Sequence, residues 1–202
     1  MVKPKSLTAL KYGSDPATGK GVCFPFGSKI DVEDIEFNSG GGGTNTAATF
    51  AKQGFKTAFL GAVGEDSAGK EIKEELKKLN IDTKFVSMVK EKLTNHSIII
   101  LTDGEDRTIL AYRGAAELLS KEKILWNKLK TKWIYLAPLS GLLCDNFEDI
   151  VNFAFENKIK IAVNPGIAQL SKPLEDLKRI FGKINVLILN QEEASFLTKI
   201  PY

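Results

Sequence analysis

The sequence predicts an α/β fold: a layered α/β/α domain on a mostly parallel sheet. Three observations predict it. Strand-like apolar runs alternate with amphipathic stretches through the second half of the 202 residues. Near-continuous apolar runs such as Val186–Leu189 read as strands buried on both faces, as parallel strands under helices are. Hydrophobic residues make up 43% and charged residues 26%, the balance of a globular chain with a sizeable core.

The elements follow in order. Residues 1–21 are polar and turn-rich, with Gly13, Pro16, Gly19 and Gly21, and predict no element and little structure. "TNTAATFAKQG" predicts a helix with Ala47, Ala48, Phe50 and Ala51 on one side and Gly54 at its C-terminal end. "FKTAFLGAVG" predicts a buried strand. "DSAGKEIKEELKKLN" predicts an amphipathic helix with Ile72, Leu76 and Leu79 inward and Asn80 as its stop. "TKFVSMV", "HSIIILT" and "RTILAYR" are strand-like, the last two joined by a "DGED" turn. "KWIYLAPL", "IKIAVNPG" and "INVLILN" are further strands. Between them lie the helix "DNFEDIVNFAFENK", with Phe147, Ile150, Val151 and Ala154 on one face, and the helix "SKPLEDLKRIFGK", with Ser171 as cap and Pro173 in its first turn. "QEEASFLTK" opens another helix.

Composition excludes several functions. The net charge of +3 is mild and well mixed, which argues against a nucleic-acid or membrane-surface partner. A single histidine, His96, leaves no His-based metal site and no Ser-His-Asp triad. Cys23 and Cys144 form no disulfide framework and read as small buried or half-buried residues of a reducing compartment. No run of about 18 apolar residues spans a bilayer, and the N-terminus lacks the apolar core of a signal peptide. These features predict a cytoplasmic protein.

The stretch "SGGGGTNTAATFAKQG" concentrates the functional signal. A helix that starts after glycines offers unsatisfied N–H groups, and the missing Cβ atoms let a ligand approach the main chain. Asn45 adds a side chain that both donates and accepts, as reading a sugar hydroxyl requires. A tight turn without a ligand explains the same glycines. They are not phosphate-loop glycines: no Gly-Lys-Ser or Gly-Lys-Thr occurs, and the dinucleotide fingerprint lacks its preceding strand and third glycine.

A longer window is more specific. Gly41, Gly42 and Gly43 lead by one residue to Asn45, then to Ala47, Gly54 and Gly64. "VGEDSAGKEIKEELKKLNIDT", "RTILAYRGAAELL", "IAVNPG" and "LILNQEEASFL" follow, the last carrying Asn190-x-x-Glu193. Over roughly residues 26–198 this order resembles the ribokinase-like (PfkB-type) carbohydrate kinase family. The resemblance implies a ribokinase-like α/β/α domain with a small β lid, here truncated. It implies strands at about 30–38 and 96–113 that close over a sugar and support a homodimer. It implies transfer of the γ-phosphoryl group of ATP to a hydroxymethyl group of a sugar or nucleoside. Gly41, Gly42, Gly43 and Asn45 would line the sugar pocket. Asn190 and Glu193 would place Mg²⁺ and the ATP phosphates, Glu193 reaching the ion through water, with Asn164 on the nucleotide side. A helix-start acid is the bland reading of Glu193 and a strand-end turn that of Asn164, while Arg113 reads either as a cation that approaches a substrate phosphate or as a solvated one.

The chain departs from the family at three places. No apolar first strand with a sugar-binding Asp precedes "GVCFPFG", and Asp15 sits in a turn-like stretch. Ala137 occupies the place of a strand-end acid. No Gly-Ala-Gly-Asp occurs, so no catalytic residue is assigned: the resemblance puts the general base in that motif. Two readings follow: part of an ATP-dependent sugar or nucleoside kinase that is inactive by itself, or a non-catalytic sugar- or nucleotide-binding or regulatory protein on the same scaffold. Ribose, hexose and nucleoside all remain open.

Overall fold

A computed structural model describes residues 2–4, 9–10, 21–22, 24, 26–101 and 107–201. In chain order the elements are β1 (Val2–Pro4), β2 (Ala9–Leu10), β3 (Gly21–Val22), β4 (Val32–Ile35), α1 (Gly42–Lys52), β5 (Ala58–Gly64), α2 (Ser67–Lys78), β6 (Asp82–Val89), β7 (His96–Ile100), β8 (Thr108–Tyr112), β9 (Trp133–Leu136), α3 (Gly141–Asp145), α4 (Phe147–Glu156), β10 (Lys160–Val163), α5 (Ile167–Leu170), α6 (Leu174–Phe181), β11 (Val186–Leu187) and α7 (Gln191–Thr198). Single 3-10 turns lie between β8 and β9. The chain divides into two units, 1–38 with 96–112, and 39–95 with 113–202.

The first unit is a four-stranded sheet in the order β4-β1-β7-β8 and a β2-β3 ribbon. β7 and β8 pair antiparallel, His96 opposite Tyr112 and Ile100 opposite Thr108. β1 pairs antiparallel with β4 and parallel with β7. Strands therefore occur within 1–21, where the sequence predicts no element. Lys3 and Pro4 break any apolar alternation, and β1 exists through its partners rather than its own pattern. The "DGED" turn, Asp15 and Cys23 lie outside the described residues.

The second unit is α/β. β5 and β6 form one parallel pair, and β11-β10-β9 a parallel three-stranded sheet. One core joins Phe147, Ile150, Val151 and Ala154 of α4 to Leu136, Ile161, Val163 and Ile180. The 3.6-residue period puts those α4 positions on one face, and all four are buried. A second core joins Ala47 of α1, Val63 of β5, Leu76 of α2, Ile81 and Val86. Each large side chain so buried contributes about 1.5–3 kcal/mol.

Helix ends follow local chemistry. Gly54 (φ 87°) and Asn80 (φ 58°) take the left-handed conformation just past α1 and α2. Ser171 does not cap α6. Its hydroxyl donates to the Ile167 carbonyl and closes α5, while Pro173 precedes the first turn of α6.

Candidate functional site

The first motif is the start of α1. Gly41 is its N-cap at φ 102°, a value that favours glycine. The Thr44 hydroxyl donates to the carbonyls of Gly40 (2.7 Å) and Gly41 (3.1 Å), and the Asn45 N–H to Gly41 (3.0 Å). The four glycines have two different surroundings. A Cβ on Gly42 would lie 3.3 Å from Pro138 Cδ and 3.4 Å from Ala137 Cβ, and one on Gly43 would lie 3.0 Å from Phe59 Cε2. A Cβ on Gly40 would meet nothing within 4 Å, and one on Gly41 only Thr44 Oγ1 at 3.9 Å. At Gly42 and Gly43 the missing side chain admits the protein's own β9 loop and β5. Only Gly40 and Gly41 leave open space. Asn45 is exposed on the first turn.

The second motif stands at the C-terminal ends of β10 and β11. Asn190 caps α7, its Oδ1 accepting the Glu193 N–H at 2.8 Å, while Glu193 Oε2 accepts the Asn190 N–H at 3.0 Å. Two orphan donors of the helix start are thus satisfied reciprocally. Asn164 Nδ2 donates to the Ile188 carbonyl (3.0 Å) and lies 3.4 Å from Glu193 Oε2. The bland readings of Glu193 and Asn164 are therefore both realised, and Asn164, Asn190 and Glu193 form one cluster. Glu193 is buried, and its second oxygen makes no hydrogen bond among the described residues.

A divalent cation can be tested against this cluster. Among the described residues no group of three or more His, Cys, Asp or Glu is placed to hold a metal. An all-protein cage is therefore not built. One uncommitted carboxylate oxygen beside two amide side chains fits Mg²⁺, which keeps most of its waters and takes one or two carboxylates.

Pro138 links the two motifs. It lies beneath Gly42, and a Cβ on Gly166 would come 3.3 Å from its Cβ. The glycine helix start and the strand ends thus share one edge of the second unit. The Gln169 side chain, with no exposure, accepts the N–H groups of Leu139 (2.8 Å) and Gly166 (3.1 Å) through Oε1. Its Nε2 has no partner among the described residues, which costs about 1–3 kcal/mol for a buried donor. Sequence reading missed Gln169. The available signal was Gly166-x-x-Gln169, the spacing of a helix start whose third residue reaches back.

"VGEDSAG" has a packing role. Asp66 caps α2 through Gly69 N–H (2.8 Å) and accepts the Thr94 N–H (2.7 Å) and hydroxyl (2.6 Å). Thr94 Oγ1 in turn accepts the Gly64 N–H at 2.9 Å. A Cβ on Gly69 would strike the Gly64 carbonyl. Asn95 Oδ1 accepts the N–H groups of Gly114 and Ala116, both at 3.1 Å. Ala137 packs on Gly42, and Arg113 is exposed. Among the described residues no helix is long and apolar enough to cross a membrane.

Comparison with known proteins gives a consistent result. The model for "pfkB family carbohydrate kinase" matches residues 15–201. The ribokinase of Haemophilus influenzae is 27% identical over 180 residues, covering 86% of this chain and 56% of that protein. Two solved structures share the ribokinase-like fold. Arabidopsis thaliana ribokinase, complexed with ribose and ATP, has a TM-score of 0.69 at 24% identity, over 87% of this chain and 56% of that one. The Methanocaldococcus jannaschii nucleoside kinase has a TM-score of 0.70 at 20% identity, over 88% and 57%. The chain spans about half the length of the curated relatives it matches.

Proposed function

The chain belongs to the pfkB family of carbohydrate kinases, and from that premise we propose that it binds a sugar or nucleoside at the start of α1 and ATP with Mg²⁺ at the Asn164–Asn190–Glu193 cluster, toward ATP-dependent phosphorylation of a hydroxymethyl group. One observation carries the proposal: Gly42 and Gly166 both meet Pro138, so the two motifs stand at one strand-end edge. Ligands gather there in open α/β sheets. Gly40, Gly41 and Asn45 present backbone and amide groups toward sugar hydroxyls, with Gly42 and Gly43 holding the helix start close to the sheet. Asn190 and Glu193 would hold a hydrated Mg²⁺, which offsets phosphate charge when bound. The strands at 30–38 and 96–113 act as a lid in this reading and support a homodimer. Ile98, Ile109, Leu110 and Tyr112 supply exposed apolar surface there.

Transfer by these 202 residues alone is outside the proposal, since they contain no Gly-Ala-Gly-Asp. The same observation favours, as a second reading, a binding or regulatory role without turnover. Titration calorimetry with D-ribose, D-fructose, adenosine and ATP–Mg²⁺, beside an ADP-release assay, tests both. The expected result is binding of ATP–Mg²⁺ and of one acceptor, with no acceptor-dependent ADP release. No binding of any ligand overturns both readings. Robust turnover places a general base within these residues.

A further inference from the structure

We propose that Gln169 is a positioning residue that couples the nucleotide-side strand end to the sugar-side helix start. Its Oε1 ties the loop directly after β9 to the loop directly after β10, accepting Leu139 N–H at 2.8 Å and Gly166 N–H at 3.1 Å. Both bonds flank Pro138. That ring is held between Gly166 on one side and Gly42 on the other, each of whose absent Cβ would come within 3.3 Å of it. The chain of contacts runs Gln169, Leu139, Pro138, Gly42, and ends on the first turn of α1. Among the described residues the Gln169 side chain makes no hydrogen bond to Asn164, Asn190 or Glu193.

The amide orientation is set by chemistry. Reversing it would aim an NH₂ group at two N–H donors, so the oxygen must face Leu139 and Gly166. The side chain has no exposure, and Nε2 is left without an acceptor among the described residues. An apolar side chain of similar volume would avoid that unpartnered donor. What the glutamine supplies here is its oxygen, which satisfies two backbone N–H groups, in keeping with a clamp rather than a filler.

The proposal rests on the functional reading only in its sugar arm. Two variants separate clamp from core: Gln169→Met keeps the volume and deletes both bonds, and Pro138→Ala, at an exposed residue, leaves both bonds and removes the ring. Hydrogen exchange read by mass spectrometry follows peptides over 42–48, 136–142, 147–156 and 163–170, the second and fourth starting early enough to retain the Leu139 and Gly166 amides. With Gln169→Met, Leu139 and Gly166 should exchange about tenfold faster, the change expected for one lost net hydrogen bond. Peptide 42–48 should speed up in both variants, while 147–156 changes no more than the global unfolding midpoint requires. With Pro138→Ala, Leu139 should stay protected. D-ribose affinity should fall about tenfold in Gln169→Met with ATP–Mg²⁺ affinity unchanged, a split that a merely structural residue does not produce. Unchanged exchange at 42–48 in both variants overturns the coupling, as does uniform acceleration of every peptide. If Gln169→Met does not fold, Pro138→Ala decides alone. A wild-type chain that binds no D-ribose, yet shows the α1 response, supports the clamp and counts against ribose as the acceptor.

Discussion

Asp66→Ala tests how "VGEDSAG" holds the second unit together. The carboxylate accepts from Gly69 N–H, Thr94 N–H and Thr94 Oγ1, at 2.6–2.8 Å. Loss of a helix N-cap costs about 0.5–2 kcal/mol. Hydrogen bonds to a charged group are worth about 1.5–3 kcal/mol each, and Thr94, 2% exposed, would lose its main partner. The losses overlap because they share one carboxylate, so the expected cost is about 3–5 kcal/mol, a large fraction of the ~5–15 kcal/mol of a typical domain. Asp66→Asn keeps one accepting oxygen and should cost about half as much. Thr94→Val deletes the hydroxyl that joins Asp66 to Gly64 N–H, so its effect and that of Asp66→Ala should be strongly non-additive. Urea unfolding followed by fluorescence of Trp126 and Trp133, both in the second unit, reports this unit rather than the other. An Asp66→Ala cost below about 1 kcal/mol, or strict additivity with Thr94→Val, would refute the reasoning.

Three further outcomes are expected. Gly42→Val should cost about 1–3 kcal/mol by overpacking against Pro138 and Ala137, and should weaken sugar or nucleoside binding more than ATP binding; calorimetry on the folded variant checks it. Glu193→Gln should keep the fold, because an oxygen remains for Asn190 N–H, and should raise the Mg²⁺ needed for ATP binding; ATP titrations at stepped Mg²⁺ that match the wild type would leave Glu193 as a helix-start acid only. The two-pronged Arg179–Glu148 pair, 2.7 and 2.9 Å, holds the Glu148 carboxyl below its ordinary range by hydrogen bonding and then charge. A depressed pKa means the unfolded chain takes up the proton first as pH falls. The pair's contribution is then complete above about pH 4.5, the ordinary glutamate range, and is lost as pH drops through the lowered folded value. Arg179→Ala should flatten that acid limb in urea midpoints measured from about pH 3 to 6, and a limb of unchanged slope would contradict it.

Legibility in the sequence followed the range of the interaction. The buried face of α4 was readable because helical period alone puts Phe147, Ile150, Val151 and Ala154 together. Gly54 and Asn80 were readable as helix ends because their left-handed backbone is a local preference. The Asn190–Glu193 pairing was readable as a spacing, since a capping box needs only four consecutive residues. β1 was not readable: its identity comes from β4 and β7, one of them nearly a hundred residues away. The four-residue α5 hid behind Ser171, which looks like a cap and closes the preceding turn instead. The split of the glycine run into packed and open halves depends on Phe59, Ala137 and Pro138, and no local pattern encodes those neighbours.

The central claim is that the start of α1 reads a sugar or nucleoside. Asn45 tests it most directly, because its side chain is exposed and makes no hydrogen bond among the described residues that the fold would miss. Titration calorimetry compares wild type and Asn45→Ala against D-ribose, D-fructose and adenosine, with ATP–Mg²⁺ as the internal control. One of the three acceptors is expected to bind the wild type and to bind Asn45→Ala about tenfold more weakly or worse, the loss of one to two well-made hydrogen bonds, while ATP–Mg²⁺ binding and the unfolding midpoint stay unchanged. Equal acceptor affinity in the two proteins would contradict it.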